Sequence, residues 1–83
     1  MTQGVAARMR PKDARSMLRI PITKLASKAG LSHVTVIESE RGKPIRLSTA
    51  YALFNALNFF RREQGMELLE DVRDVEWNIS GED

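Results

Sequence analysis

The chain has 83 residues, one histidine, no cysteine and a formal net charge of +2 at pH 7. A domain this small has a marginal core, and without thiols it has neither disulfides nor a zinc–thiolate site, so we expect a partner chain but no metal or other cofactor. No apolar run approaches the roughly 20 residues of a membrane span and no nucleophile–base pair is available, so we expect a cytoplasmic protein without membrane contact that is not an enzyme.

The charges are divided along the chain. Residues 1–62 contain twelve Lys/Arg and three Asp/Glu, a balance of +9, whereas residues 63–83 contain one and eight, a balance of −7. A basic surface suits a phosphate backbone, because Lys and Arg release its condensed counterions. The acidic part should face away from such a partner. The alternative is that these charges form an ordinary solvated surface.

The first predicted element is a helix over residues 11–19, preceded by a flexible arm, residues 1–10. Whether the arm's arginines reach DNA is open. Pro11 suits the first helical position, and Pro21 ends the helix and restricts the residue before it. The apolar face of the helix comprises Ala14, Met17 and Leu18.

Residues 22–42 are predicted to form two short helices joined by a tight turn. Gly30 lies at the joint, where the backbone must take a positive φ that favours glycine. Ser32 can cap the second of these helices, residues 33–40, by accepting hydrogen bonds from its free N–H groups. Gly42 follows the end of that helix. Two helices joined this tightly cross steeply, which leaves much of the second one exposed.

This pattern resembles the phage-repressor type helix-turn-helix family, also called the xenobiotic-response-element (XRE) or Cro-like family. The residues that carry the resemblance are Leu25-Ala26, Ala29-Gly30-Leu31-Ser32, Thr35-Val36 and Glu40-Arg41-Gly42-Lys43. They match without a gap, within a resemblance that covers roughly residues 11–62. It implies a mainly α domain of four or five helices over residues 11–64, in a bacterium or phage. It also implies a homodimer that binds double-stranded DNA.

The resemblance and the exposed second helix predict the DNA-contacting residues. They are Ser32, His33, Val34, Thr35, Ile37, Glu38, Arg41, Lys43 and Arg46. His33, Val34 and Glu38 match family positions that meet bases, where they suit a purine edge, a thymine methyl and a cytosine amino group. Alternatively His33 is merely solvated, Val34 packs inward and Glu38 pairs with a cation. Lys43 and Arg46 lie in a loop that runs beside the sugar-phosphate backbone in the family.

A fourth helix is predicted from an N-cap at Ser48 to about Gln64. Its apolar residues form two stripes at the same helical spacing. One stripe comprises Leu53, Leu57 and Phe60, and the other comprises Ala52, Ala56 and Phe59. A small domain cannot easily bury both stripes, so the second predicts contact with another copy. The alternative is that the C-terminal segment folds back over it.

Residues 65–83 are predicted to form an acidic C-terminal segment with a short β-hairpin. Residues 75–79 alternate apolar and polar, residues 66–68 offer a shorter match, and residues 71–74 suit the turn. Helical spacing of apolar residues within 68–79 leaves a helix as the alternative. A lone hairpin must pack on the fourth helix or on a second chain. The predicted dimer interface comprises Ala52, Ala56, Phe59, Val75, Trp77 and Ile79.

Two functions from different classes remain. The first is a sequence-specific transcription regulator, most simply a repressor, that binds an inverted repeat as a homodimer. The second is a protein-interaction module on the same fold, such as an antitoxin or an adaptor for another regulator. The second draws on departures from the family pattern at Ile22, Ile37, Glu38 and Ser39, and on the acidic segment.

Overall fold

The computed structural model describes residues 8–80, which form a small, mainly helical unit. The elements are α1 (Pro11–Ser16), α2 (Ile22–Ala29), α3 (His33–Glu40), α4 (Leu47–Glu63) and a short 3-10 turn (Val72–Asp74). No β-strand occurs within the described range, where strand-like pairing is limited to two isolated bridges. The mainly helical class predicted from the sequence is confirmed.

The first helix is shorter than its apolar periodicity suggested. Pro11 occupies its first turn as predicted, but the helix ends at Ser16 and the chain turns through residues 17–19. In that turn the backbone of Arg19 is left-handed, with a φ of 57°. Because the helical spacing is lost, Met17 is 49% exposed although Leu18 beside it is buried. The prediction that Met17 belongs to the core face is therefore wrong.

The joint between α2 and α3 agrees with its prediction. Gly30 ends α2 in the left-handed conformation, with a φ of 74°. A Cβ at this position would meet no atom within 4 Å, so the backbone conformation rather than crowding favours glycine. Ser32 caps α3, and its hydroxyl accepts a hydrogen bond from the Thr35 N–H at 3.2 Å. The helix bounds on both sides of the joint match those predicted.

The core forms where α4 packs against the earlier helices. Leu53 and Leu57 are fully buried and Phe60 is nearly so, which confirms that this stripe faces inward. Leu25 of α2 and Val36 of α3 belong to the same buried cluster. α4 begins at Leu47, one residue before the predicted cap at Ser48, so Arg46 occupies the N-cap position.

The C-terminal segment folds back over α4 within the same chain. Asn58 binds the backbone of Leu69 twice: its Nδ2 donates to the carbonyl at 3.0 Å and its Oδ1 accepts from the N–H at 2.8 Å. One turn later, Nε of Arg61 donates to the Glu67 carbonyl at 2.6 Å. Polar residues of α4 thus fasten a segment whose regular structure, within the described range, is limited to the 3-10 turn.

No hairpin forms among the described residues. Val75 pairs instead with Met9, and Ile79 pairs with Ile45, each in an isolated parallel bridge. The indole N–H of Trp77 donates to the Val72 carbonyl at 3.0 Å. The alternation of apolar and polar residues is real, but its apolar side packs on the chain's own core. The hairpin prediction is therefore wrong.

Residues 8–10 are also attached to the C-terminal segment. The N–H of Met9 donates to the Asp74 carbonyl at 3.0 Å, and the N–H of Glu76 donates to the Met9 carbonyl at 2.9 Å. Nε of Arg8 donates to the Arg73 carbonyl at 2.9 Å. These residues of the predicted flexible arm are thus hydrogen-bonded to the C-terminal segment, and the rest of the arm, residues 1–7, lies outside the described range.

Candidate nucleic-acid interface

The third helix has two faces of different character. Val36 and Ser39 point into the core and are 0% and 2% exposed. The outward face lies opposite them at helical spacing. It carries His33, Val34, Ile37, Glu38 and Arg41. Val34 is 50% exposed, so the alternative that it packs inward is wrong. The residues predicted to meet bases thus share one accessible face.

A buried hydroxyl lies on the inward face of α3. The Ser39 hydroxyl donates to the Val36 carbonyl at 2.7 Å. A buried polar group is costly only when it lacks a hydrogen-bond partner, and this one is satisfied. The serine hydroxyl is therefore not left unpaired in the core.

The hydroxyl groups at the start of α3 take part in the N-cap of the helix. Besides accepting from the Thr35 N–H, the Ser32 hydroxyl lies 3.0 Å from the hydroxyl of Thr35. Capping of this kind satisfies one of the N–H groups left free at a helix start. The capping role of Ser32 is confirmed. Phosphate contact by Ser32 and Thr35 remains a prediction.

A half-buried ion pair joins the C-terminal end of α3 to α1. Nε of Arg15 donates to Oε2 of Glu40 at 2.6 Å, and Nη2 donates to Oε1 at 3.1 Å. The hydrogen bond to Glu40 raises the pKa of Arg15, the negative charge of Glu40 also raises it, and burial acts in the opposite direction. The bidentate geometry fixes orientation as well as distance.

A weaker ion pair lies on the outward side. Nζ of Lys43 is 3.9 Å from Oε2 of Glu38, and the two side chains are 58% and 46% exposed. The prediction left open whether Glu38 pairs with a cation, and it does. An exposed pair of this length contributes little stability, so it can separate at small cost.

The loop after α3 carries Lys43 and Arg46, both exposed. The C-terminal segment is hydrogen-bonded to the backbone of this loop. Nδ2 of Asn78 donates to the Gly42 carbonyl at 2.9 Å, and the N–H of Ile45 donates to the Asn78 carbonyl at 2.8 Å. A single residue therefore binds the backbone at two points, Gly42 and Ile45, of the six-residue loop 41–46.

An open cleft lies beside the outward face of α3. Ile22 and Ile37 line it together with Lys12 and Arg41. An adjoining cleft is lined by Arg41 and also by Glu76. A carboxylate of the acidic segment thus lies near the end of α3. That the segment faces away from a bound duplex stays a prediction.

The predicted dimer residues divide into two groups. Ala56, Val75 and Trp77 are 4%, 0% and 8% exposed and belong to the chain's own core. Their assignment to a dimer surface is therefore wrong, because their side chains are covered within one copy. The remaining members are partly exposed: Ala52, Phe59 and Ile79.

The sequence interpretation missed the residues that organise the C-terminal segment. Asn58 and Arg61 lie on α4, and Asn78 lies in the pattern interpreted as a strand. The sequence did offer one sign of their role. Asn58 and Arg61 are polar residues that directly follow Leu57 and Phe60 in a mostly apolar helix. A polar side chain at such a place must find a partner, although the pattern does not identify it.

Comparison with models of known families, with curated proteins and with solved structures found no match for this chain. Within residues 8–80, no helix is both long enough and apolar enough to cross a membrane. The same part of the chain holds no cluster of three or more His, Cys, Asp or Glu side chains arranged for a metal ion.

Proposed function

We propose that this chain is a sequence-specific regulator that binds double-stranded DNA through α3, in the manner of the phage-repressor type helix-turn-helix proteins that its sequence resembles. The observation that carries the proposal is the outward face of α3. Val36 and Ser39 hold the helix from the inside, which leaves His33 and Val34 free to meet another molecule. An exposed helix of this kind fits the major groove of B-DNA.

The side chains on that face suit base recognition. Val34 offers a methyl surface to thymine, and the imidazole of His33 can bond a purine edge. Glu38 can accept from a cytosine amino group once it leaves Lys43, and the 3.9 Å pair between them is easily broken. The freed Lys43 can then bind a phosphate. Breaking this ion pair would therefore free both side chains to contact DNA.

The loop after α3 suits the sugar-phosphate backbone. Lys43 and Arg46 are exposed there, and Asn78 holds the loop in place. Phosphate contacts position a protein on the duplex while base contacts specify the sequence. We propose that this loop supplies the first kind of contact and α3 the second.

As a homodimer, the protein would place two copies of α3 in successive major grooves. The half-sites would then lie about one helical turn, roughly 34 Å, apart in an inverted repeat. Repression is the simplest outcome, because a bound dimer occupies DNA that other proteins need.

Selection from a random pool of duplexes tests the proposal. The purified protein should enrich one sequence with inverted-repeat symmetry at moderate salt. Enrichment of no sequence, across several rounds and salt concentrations, would refute it. A sequence enriched without symmetry would retain DNA recognition but remove the homodimer from the proposal.

The second candidate is a protein-interaction module on the same fold. It is favoured by the partly exposed Ile22 and Ile37 in the cleft beside α3, since apolar side chains there suit a protein surface. A protein that co-purifies in fixed stoichiometry, together with indifference to DNA once that partner is removed, would support this candidate over the first.

A further inference from the structure

Another surface lies where α2 meets the C-terminal half of α4. It is an open cleft lined by Lys24, Ser27 and Lys28 of α2 and by Phe59 and Phe60 of α4. Nζ of Lys28 lies 3.6 Å from the ring centroid of Phe59, and Nζ of Lys24 lies 5.8 Å from that of Phe60. We name this region the basic-aromatic surface.

The cations of the basic-aromatic surface have no carboxylate partner among residues 8–80. The ion pairs within that range are Arg15 with Glu40 and Lys43 with Glu38. Lys24 and Lys28 lie over aromatic rings instead, and both are exposed. An aromatic anchor beside cations is a composition typical of binding surfaces.

The same chain carries a surface of the opposite character. Residues 67–70, which we name the acidic loop, include Glu67 and Glu70, both exposed, and Leu68, which is 37% exposed. The backbone of the acidic loop is fixed, because the Glu67 carbonyl accepts from Arg61 at 2.6 Å. Neither glutamate side chain forms an ion pair within the described part of the chain.

We infer that these two surfaces bind each other between copies of the chain, with the acidic loop of one copy docked on the basic-aromatic surface of the other. The argument is complementarity of charge and of apolar content. Glu67 and Glu70 match Lys24 and Lys28, and Leu68 offers an apolar side chain to Phe59. Among residues 8–80, neither surface finds an ionic partner within its own copy.

Two-fold symmetry would make this contact reciprocal. In a symmetric dimer a patch on one copy meets a second patch on its partner, and the reverse contact forms as well. Each dimer would then contain the contact twice and close on itself. The inference deepens the homodimer part of the proposed function and assigns its interface. It is tested without DNA, so the two proposals can fail separately.

Charge reversal tests the inference on the full chain. The molar mass of the unaltered protein, measured by sedimentation equilibrium at low salt, should be that of a dimer and should fall toward the monomer as salt increases. The double variant Lys24→Glu with Lys28→Glu should dissociate at least about tenfold more readily, because the acidic loop would meet like charges. Glu67→Lys with Glu70→Lys should have the same effect.

Mixing the two reversed proteins gives the sharpest readout. One then carries carboxylates on both surfaces and the other carries ammonium groups on both, so they should form a heterodimer although neither forms a homodimer. This outcome also demonstrates that both variants are folded. A matched control, Lys12→Glu with Arg19→Glu, changes the net charge by the same amount outside both surfaces and should leave the dimer intact.

Four results would overturn the inference. The unaltered protein could be a monomer at low salt, the reversed variants could dimerise as it does, or the mixture could stay monomeric. Growth into larger open assemblies would also contradict it, because a reciprocal contact closes at two copies. If the dimer behaves as expected but no duplex is selected, the interface stands and the DNA-binding proposal fails.

Discussion

Arg15 and Glu40 connect the first helix to the C-terminal end of α3, beside the cleft that Ile37 and Arg41 also line. Their Nε–Oε2 and Nη2–Oε1 distances are 2.6 and 3.1 Å, and the side chains are 15% and 9% exposed. Nη1 of Arg15 also donates to the Ile20 carbonyl at 3.0 Å. The rotation of α3, and hence which residues face outward, depends in part on this pair.

Replacing one member of this ion pair should lower the free energy of unfolding more than replacing both. Arg15→Met leaves the Glu40 carboxylate mostly buried without its cation, and we expect a loss of about 3 kcal/mol in the free energy of unfolding. Arg15→Met combined with Glu40→Leu should recover most of this loss. Urea denaturation, followed by the fluorescence of the single tryptophan, Trp77, measures both. A double variant no more stable than Arg15→Met would contradict the account.

The same pair predicts how stability depends on pH. The pKa of Arg15 is raised, so its contribution is fully present below the ordinary pKa of arginine and is lost only as pH rises through the raised value. Titration of Arg15 should therefore add nothing to the pH dependence of stability between about pH 6 and about pH 8.

The left-handed residue at the end of α1 should tolerate glycine well. Arg19 has a φ of 57°, which costs an L-residue roughly 1 kcal/mol. Arg19→Gly should therefore be about 1 kcal/mol more stable than Arg19→Ala, which removes the same charge without relieving the backbone. Thermal unfolding of the two variants measures the difference. Equal stability, or a more stable alanine variant, would show that this conformation is not strained.

The hydrogen bond between Asn78 and Gly42 should affect the affinity for DNA rather than the base preference. Asn78→Ala removes the donor to the Gly42 carbonyl and loosens the loop that carries Lys43. We expect a loss of about 1 kcal/mol in affinity for every duplex, with unchanged base preference.

Hydrogen exchange at the Ile45 amide and DNA titration check this prediction together. Asn55→Ala is the matched control, because Asn55 is exposed on α4 and makes no hydrogen bond within the described residues. If the two alanine variants bind DNA equally well, Asn78 does not position the loop.

The loop cations should act through phosphate. Lys43→Ala and Arg46→Ala should each weaken binding to all sequences and should each reduce the slope of log affinity against log salt by about 1. Arg73→Ala is the control, since Arg73 is an exposed cation within the acidic C-terminal segment. An unchanged slope in both loop variants would place these cations outside the interface.

The sequence predicted the α2–α3 unit well because each boundary has a local physical cause. Gly30 takes the positive φ at which the first of these helices ends, and Ser32 caps the second. Neither effect depends on distant parts of the chain. Met17 shows the limit of periodicity, because helical spacing assigns a face only while the helix continues, and α1 ends one residue earlier.

The C-terminal segment could not be predicted in the same way. Alternation correctly separated the buried Val75 and Trp77 from the exposed Glu76 and Asn78. It does not specify what covers the apolar side, and a second strand or another chain would leave the same pattern. The actual partner is the chain's own core. The contacts that fasten this segment, such as the one between Asn78 and Gly42, join residues far apart in sequence and have no local signature.

The central claim is that the outward face of α3 reads bases, and Val34 tests it most directly. Its side chain is 50% exposed and has no role in the core that its loss would disturb. The measurement is the affinity of the unaltered protein and of Val34→Ala for a panel of single-base variants of the selected duplex. We predict that Val34→Ala loses about 1 kcal/mol of discrimination at one base pair in each half-site and keeps its preferences elsewhere. An equal change in affinity across the whole panel would contradict the claim.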